Sequence, residues 1–340
     1  MKNSKITFGI VGIIIVGIIL FILNLFIGSV KIPFDEIFKV LLKENADSTL
    51  SVIIFNYRLP QALTALLAGA ALAVAGLLMQ TLFRNPLADP SMLGISSGAS
   101  LGVGIVILFT GAVTGTAMSA FGWWSTIGVS IAAFIGAVSV LFVMLAFSSR
   151  MRNMTTLIII GLMIAYIAGS ITDILKFFSL KEDIHAFVIW GMGSFSGVGT
   201  SKMPIFAVSV IIGLIATFFL SKNLNILLLG EMYAENLGLN IRKNSVIIIL
   251  VSGYLTAIVT AYCGPVAFVG LAMPHIARFL FKSSDHRLLI PATMLIGVDM
   301  ALVCNLIARM PGFDGNLPIN AVTAFIGAPV VISVILKSKK

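Results

Sequence analysis

Long apolar runs alternate with short polar segments along the whole chain. The runs are long enough, or nearly so, to cross about 30 Å of hydrocarbon at 1.5 Å per residue. We therefore predict an all-α polytopic membrane protein with ten transmembrane helices in a single domain over residues 1–340. The predicted spans are residues 6–28, 57–81, 91–110, 122–147, 153–176, 202–220, 243–263, 265–281, 286–308 and 319–337.

Composition indicates the same class. Of 340 residues, 59% are hydrophobic and 10% are charged, and the mean hydropathy is +1.10, whereas a soluble domain has about 25% charged residues. Cys263 and Cys304 fall inside apolar runs and are expected to be buried thiols rather than a disulfide or a metal site. The three histidines lack ligand spacing such as HExxH, so we predict no metal site and no cofactor in this chain.

The positions of the basic residues predict the topology. With the N-terminus in the cytoplasm, fourteen of the 22 Lys and Arg residues but only four of the 13 acidic residues fall on the inner side, as the positive-inside rule requires. The first run is too long for a signal peptide and is expected to be a retained helix. Both termini are therefore predicted to be cytoplasmic, and the basic net charge gives no support to nucleic-acid binding.

Two segments interrupt the apolar pattern with glycine and proline. RNPLADPSMLGISSGASLG, residues 84–102, follows the second span, and GPVAFVGLAMPH, residues 264–275, joins the seventh and eighth spans. Non-helical backbone at membrane depth is tolerated only inside protein or along a cavity. Residues 85–98 are therefore either part of a pathway or a turn whose small residues allow close helix packing. The two segments lie in halves of opposite orientation, which favours an inverted-repeat transporter.

The source of energy separates the transporter classes. A secondary carrier needs ionisable groups within the membrane, and only Asp173 and Asp299 qualify; Lys176 is one turn from Asp173, so a local ion pair is expected there. The chain has neither a GxxxxGK[ST] phosphate-binding loop nor a channel filter motif. If transport consumes ATP, a separate ATPase must bind the ATP and Mg. An ion-coupled carrier remains the alternative, and no catalytic constellation indicates an enzyme.

The longest inner loop, residues 221–242, contains the sequence LLLGEMYAENLGL, which predicts a short helix. Glu231 lies in its first turn, which suits the helix dipole. Glu231 and Glu235 are four residues apart, so both carboxylates lie on one face and repel each other mildly. Anionic lipid headgroups would repel them too, which favours docking against a basic protein surface.

Six blocks of the sequence resemble the FecCD/BtuC-like permease family of iron-siderophore, haem and vitamin B12 ABC importers. They are RNPLADPSMLGISSGASLG, WGMGSFSGV, LLGEMYAENLGL, GPVAFVGLAMPHIAR, DHR and LPINAVTAFIGAPVVISVI. The resemblance covers nearly the whole chain and implies a type II importer in the bacterial cell membrane. In such an importer two permease subunits, identical or paralogous, enclose a central pathway, two ATPase subunits lie below, and an extracellular or periplasmic substrate-binding protein docks above.

The resemblance also assigns roles to individual residues. It implies that the inner loop couples to the ATPase through Gly230, Glu231, Ala234, Glu235, Leu237 and Gly238, although Met232 stands where an acidic residue is common. It implies that Arg58 and Arg309 dock the binding protein, and we expect both to be exposed; many relatives have a second arginine at the position of Gln61. The residues assigned to gating or packing along the pathway are Asn85, Pro86, Gly94, Gly98, Gly193, Ser194, Gly264 and Pro265. A ferric siderophore is the expected substrate, with haem and vitamin B12 as alternatives.

Overall fold

A computed structural model of the protein describes residues 2–30, 32–41, 49–109, 123–150, 154–310 and 316–338. Within these ranges the chain forms helices and no β-strand. Seven helices are long and apolar enough to cross a membrane, and three shorter apolar helices are Ile95–Phe109, Val269–Phe281 and Ile319–Ser333. Together they occupy the ten predicted spans, which agrees with the predicted all-α polytopic fold. The division of the chain into one domain stays a prediction.

The helices are labelled in chain order. They are α1 (Lys2–Phe26), α2 (Phe34–Leu41), α3 (Thr49–Val52), α4 (Leu59–Leu82), α5 (Ile95–Gly104), α6 (Trp123–Ser148), α7 (Met154–Phe177), α8 (Lys181–Gly191), α9 (Met203–Leu227), α10 (Glu231–Asn236), α11 (Ile241–Cys263), α12 (Val269–Phe281), α13 (His286–Ala308) and α14 (Ile319–Ser338). A π-helical turn at Ile53–Arg58 follows α3, and another at Ile105–Phe109 follows α5. Two 3-10 turns lie at Pro90–Leu93 and Phe195–Gly197.

The structure differs from the prediction most clearly in three places. The second span begins at Thr49, because α3 and its π-helical turn run directly into α4, where Pro60 occupies a first-turn position that tolerates proline. The sixth span continues to Leu227, since the asparagines that resemble loop residues find hydrogen-bond partners on neighbouring helices. The outer segment 181–201 contains a helix, α8, whose first turn carries Glu182 and Asp183 in favourable positions for the helix dipole.

Helix α4 lies at the centre of the bundle. Nearly all of its residues are buried, and it contacts α9, α11, α12 and α13. A Cβ on Gly76 would overlap the main chain of Gly270 in α12, and a Cβ on Gly69 would overlap the main chain of Gly297 in α13. Glycine at these positions therefore allows helix backbones to touch directly, as small residues do in membrane bundles.

The outer helices of the bundle expose apolar side chains. In the apolar 18-residue stretch of α1 no residue is buried, and in the corresponding stretches of α6, α7 and α9 only 22% to 28% of the residues are buried. Examples of these exposed side chains are Phe8, Ile15, Phe142, Ile167 and Phe219. Such surfaces are unsuited to water and fit contact with lipid or with a second membrane subunit.

Candidate functional site

The predicted short helix of the inner loop is present as α10, and a glycine with positive φ flanks it at each end. Gly230 has φ 108° before the helix, and Gly238 has φ 83° after it. The N–H of Gly238 donates to the main-chain oxygen of Glu235 (2.9 Å), and the N–H of Leu239 donates to that of Ala234 (3.0 Å). This pair of bonds is the Schellman pattern, which places glycine at the residue that leaves the helix.

Helix α10 and the residues beside it present an apolar patch on the inner face. Met232 is 77% exposed, although it lies in a loop where water would favour polar residues. The other members of the patch are Leu228, Leu229, Tyr233 and Leu237. A contiguous exposed apolar patch is typical of a surface that another protein covers. Glu231 and Glu235 are exposed beside it.

The resemblance assigned Ala234 to ATPase coupling and did not name Leu229, Met232 and Tyr233, which the structure shows to be exposed. Ala234 is 0% exposed and lies on the face of α10 that points into the protein, and its assigned role stays a prediction. The missed residues do have a signal in the sequence: they are large apolar side chains in a short helix between two glycines, too short to form a core of their own.

The end of α9 that leads into this segment is fixed to two other helices. The Oδ1 of Asn225 accepts from the main-chain N–H of His286 (2.8 Å) and lies 2.8 Å from its Nδ1, which must therefore donate. The Nε2 of the same imidazole lies 2.8 Å from Oγ1 of Thr81, in the last turn of α4. Arg84, just after α4, donates to the main-chain oxygen of Leu227 (3.1 Å). The end of α9 that leads into α10 is thus joined to both α4 and α13.

Asp285 caps α13 next to this junction. Its Oδ1 accepts from the N–H of Arg287 (2.9 Å) and from Nδ2 of Asn225 (2.6 Å). The first of these bonds, and then the second, holds the pKa of the Asp285 carboxyl below its usual range. The residue is therefore ionised under ordinary conditions, which suits its position at a helix N-terminus.

The segment after α4 is an ordered loop. Oδ1 of Asn85 accepts from the N–H of Leu87 (2.9 Å), and Oδ1 of Asp89 accepts from the N–H of Ser91 (2.9 Å), which caps the 3-10 turn. Gly94, with φ 77°, then joins this turn to α5. On α5 a Cβ at Gly98 would lie 2.6 Å from the main-chain oxygen of Gly136 in α6.

The structure brings the two broken segments together. Nε2 of His275, in α12, donates to the main-chain oxygen of Pro86 (2.7 Å). Nη1 of Arg278 donates to Oε1 of Gln80 (2.6 Å), whose amide nitrogen donates to the main-chain oxygen of Leu271 (3.0 Å). Helix α12 itself continues through Pro274. The gating role predicted for this region stays a prediction.

The remaining predicted pathway residues pack together at the outer end. Gly193 (φ 71°) and Gly264 (φ 72°) both have left-handed backbones. A Cβ on Gly193 would lie 2.8 Å from the main-chain oxygen of Pro265, and a Cβ on Gly264 would lie 2.5 Å from that of Trp190. The N–H of Ser194 donates to the main-chain oxygen of Cys263 (2.7 Å). These contacts tie the chain after α8 to the end of α11.

The expectation that Arg58 and Arg309 are exposed is wrong, because each is only 4% exposed in the chain. Arg58 donates to the main-chain oxygens of Leu25 (2.8 Å) and Val30 (2.6 Å). Arg309 Nη2 donates to the main-chain oxygen (2.9 Å) and to Oδ1 (2.8 Å) of Asn24. Both guanidinium groups therefore hold the outer end of α1 against α4 and α13, and a docking role stays a prediction.

Gln61 completes this outer network. Its Oε1 accepts from Nη1 of Arg309 (3.2 Å), and Nδ2 of Asn305 donates to Oδ1 of Asn24 (2.8 Å). At the position where many relatives have a second arginine, this chain therefore has a neutral acceptor for Arg309. A second cation there would face the Arg309 guanidinium, whereas glutamine binds it.

The other candidate groups have local partners or are buried. Nζ of Lys176 lies 3.0 Å from Oδ1 of Asp173, which confirms the predicted local pair. Cys263 and Cys304 are free and buried, as expected. Among the residues that the structure describes, no group of three His, Cys, Asp or Glu side chains could hold a metal ion.

Within the described residues the chain is a bundle with ten apolar helices and an exposed apolar patch on its inner face, and its sequence has no nucleotide-binding loop. These features are those expected of the permease subunit of a type II ABC importer. Comparison with known proteins agrees. Residues 15–337 match the model of the FecCD transport family, and the chain belongs to this family. It is a multi-pass protein of the cell membrane and a transport subunit, not an enzyme.

Several relatives are similar over most of their length. The vitamin B12 import system permease protein BtuC of Klebsiella pneumoniae is 35% identical over 289 residues, which are 85% of this chain and 83% of the relative. The protein of the same name from Salmonella typhi is 34% identical over 292 residues, 85% of each chain. A solved structure described as an inward-facing conformation of an ABC transporter assigned to the metal-chelate type has a TM-score of 0.82 at 30% identity and covers 96% of this chain and 98% of its own.

Proposed function

We propose that the chain is the permease for a large metal chelate, and that this chelate is a ferric siderophore. A substrate-binding protein delivers the chelate, and a separate ATPase drives its transport through the membrane. The observation that carries this proposal is the exposed apolar patch on α10, which is continuous with a hydrogen-bonded junction to α4 and α13. An ion-coupled carrier has no use for such a patch. A subunit driven by a separate ATPase requires one.

The ATPase contact is proposed to centre on Met232 and Tyr233. Large side chains at the middle of a contact usually supply most of the binding free energy, and charged residues at its rim affect orientation and association rate. Glu231 and Glu235 suit the second role, because they are exposed at the edge of the patch. Gly230 and Gly238 set the ends of the helix that presents these side chains.

Cobalamin is the second candidate substrate. The relatives from Klebsiella pneumoniae and Salmonella typhi are named vitamin B12 permeases, at 35% and 34% identity respectively, whereas the similar solved structure is assigned to the metal-chelate type. Both candidates are bulky complexes of a metal with an organic ligand. The common class, a large metal chelate, therefore has more support than either compound alone.

The proposal is tested in proteoliposomes that contain the permease, its cognate ATPase and its binding protein. We expect uptake of iron-loaded siderophore with ATP and Mg inside the vesicles and with no ion gradient. Uptake of cobalamin in place of siderophore would assign the second candidate. Uptake that follows a proton or sodium gradient and ignores ATP would overturn the proposal.

A further inference from the structure

Two short polar stripes face each other between α5 and α7. Gly169, Thr172, Asp173 and Lys176 occupy positions i, i+3, i+4 and i+7 and therefore lie on one face of α7. Ser97 and Ser100 are spaced in the same way on α5. These residues and Phe187 of α8 line a pocket of about 250 Å³, which is called here the outer polar pocket.

The pocket extends from the outer end of α7 into the membrane. A Cβ on Gly104 of α5 would lie 3.6 Å from Cγ2 of Thr172, so these two residues are at the same level. Ser100 and Ser97 precede Gly104 by about one and two helical turns, and Gly169 precedes Thr172 by about one turn. Because α5 and α7 run in the same direction, both serines lie deeper than the ion pair at the mouth.

The polar groups of the pocket are only partly engaged. Within the described part of the chain, the hydroxyls of Ser97 and Ser100 have no hydrogen-bond partner. Lys176 is fixed at the mouth by Asp173 and by the ring of Phe187, whose centroid is 5.2 Å from Nζ. Polar side chains at membrane depth are costly and usually mark a ligand or a water-filled path.

Glycine at position 169 keeps the pocket open and is not needed for packing. A Cβ on Gly169 would meet nothing within 4 Å, whereas a Cβ on Gly161, two turns earlier on the same helix, would lie 2.5 Å from the main-chain oxygen of Met92. The two glycines thus differ in role. Gly161 permits close contact with the loop before α5, and Gly169 leaves free volume beside the serines.

We infer that the outer polar pocket is a substrate subsite that binds an uncharged hydrogen-bonding group, such as an amide or hydroxyl, on the periphery of the transported chelate. The inference rests on the proposed function. An acyl chain would leave the two serine hydroxyls without polar partners, which disfavours a lipid. The charges of Asp173 and Lys176 cancel, so the pocket favours neutral groups over ions of either sign.

The test fills the pocket and, separately, removes its hydroxyls. Gly169→Leu places a side chain in the free volume, and Gly128→Leu on α6 is the matched control, because a Cβ there also meets nothing within 4 Å. Ser97→Ala combined with Ser100→Ala removes two neutral donors without filling space. Each variant is reconstituted with the ATPase and binding protein, and initial uptake of iron-loaded siderophore and of cobalamin is measured with ATP.

We expect Gly169→Leu to reduce uptake about tenfold relative to Gly128→Leu. The serine double variant should lower the initial uptake rate roughly tenfold at a subsaturating concentration of loaded binding protein, the equivalent of two lost neutral hydrogen bonds. If Gly169→Leu assembles poorly, the serine variant decides alone. If wild-type protein takes up neither chelate with ATP, the proposed function fails. If wild-type protein transports and both variants match the control, only the subsite is overturned.

Discussion

The side-chain oxygen of Asn225 lies 2.8 Å from both the main-chain nitrogen and Nδ1 of His286, and so joins the last turn of α9 to the first turn of α13. The opposite side of the same imidazole contacts Thr81 at the end of α4. Since α9 leads directly into α10, a displacement of α10 is expected to reach α4 and α13 through this imidazole, together with the bonds from Arg84 to Leu227 and from Asn225 to Asp285.

Replacing Asn225 should damage both stability and coupling. Asn225→Leu removes an acceptor and a donor and leaves partly buried groups of His286 without partners, which typically costs about 1–3 kcal/mol of unfolding free energy. We expect a lower unfolding temperature of the purified subunit and a loss of substrate-stimulated ATP hydrolysis. Lys222→Leu, one turn earlier and exposed, is the control. Equal behaviour of the two variants would show that the junction has no such role.

The backbone of Gly238 offers a test of the docking segment that changes no charge. With φ 83°, the position disfavours β-branched residues strongly but accepts asparagine. Gly238→Val should abolish retention of the ATPase and stimulation of hydrolysis, whereas Gly238→Asn should keep most of both. Pull-down and hydrolysis assays on reconstituted complexes measure this. Normal coupling in the valine variant would exclude residues 230–238 as the coupling segment.

The apolar and acidic parts of the docking segment should respond differently to substitution. Met232→Ala with Tyr233→Ala should weaken ATPase binding about tenfold or more at any salt concentration, because the loss is one of apolar contact. Glu231→Lys with Glu235→Lys should weaken it mainly at low salt, where screening is small. Titrations at two ionic strengths separate the effects. Binding that is insensitive to the first pair would place the ATPase contact elsewhere.

The outer arginines should act first through stability. Arg309→Leu removes hydrogen bonds from a charged donor to Asn24 and Gln61, each worth about 1.5–3 kcal/mol, so we expect a clearly lower unfolding temperature. Lys181→Gln, an exposed change on the same face, should leave it unaltered. Affinity for the binding protein is measured in parallel on the folded fraction. An Arg309→Leu variant with normal stability but weaker docking would contradict the structural role and support the predicted docking role of Arg309.

Direct contact between helix backbones predicts a large difference between two glycines. Gly76→Ala introduces a Cβ that overlaps the main chain of Gly270, whereas a Cβ on Gly12 meets nothing within 4 Å. Overpacking of this kind costs about 1–3 kcal/mol or more. We therefore expect Gly76→Ala to lower the unfolding temperature by several degrees and Gly12→Ala to raise or preserve it. Thermal unfolding in one detergent measures both.

The sequence alone predicts what depends on local pattern. The bounds of α13, residues 286–308, agree with the predicted span, because apolar composition and the Asp285 cap act within one turn of the helix end. Helix α10 is equally predictable from the sequence, since two flanking glycines and a glutamate in its first turn mark its ends. Membership of the family was also predictable, because it depends on short sequence blocks that can be matched without knowing which residues are in contact.

Contacts between distant parts of the chain were not predictable in this way. Arg309 donates a hydrogen bond to Asn24, which is 285 positions away in the sequence, so no local stretch contains both partners. Without its partner, an arginine beside a membrane span is predicted to be exposed. The continuation of α9 to Leu227 was missed for the same reason, because it depends on a contact between distant parts of the sequence. Asn225 resembles a loop residue until His286, 61 positions away, is placed beside it. Polar residues near membrane boundaries are therefore the least certain part of a sequence-based reading.

The glycine contacts of α4 have a mechanical consequence. Side chains can exchange rotamers and so let two helices slide, whereas main chains in direct contact have no such freedom. We therefore expect α4, α12 and α13 to move as one rigid body. Any alternation between outward and inward access is then expected to come from parts outside these three helices, such as α7 and α8 or the hydrogen-bonded end of α9. Spin labels that bracket the pairs Gly69–Gly297 and Gly76–Gly270 should keep a constant separation throughout the transport cycle, while labels on α7 and α13 change theirs.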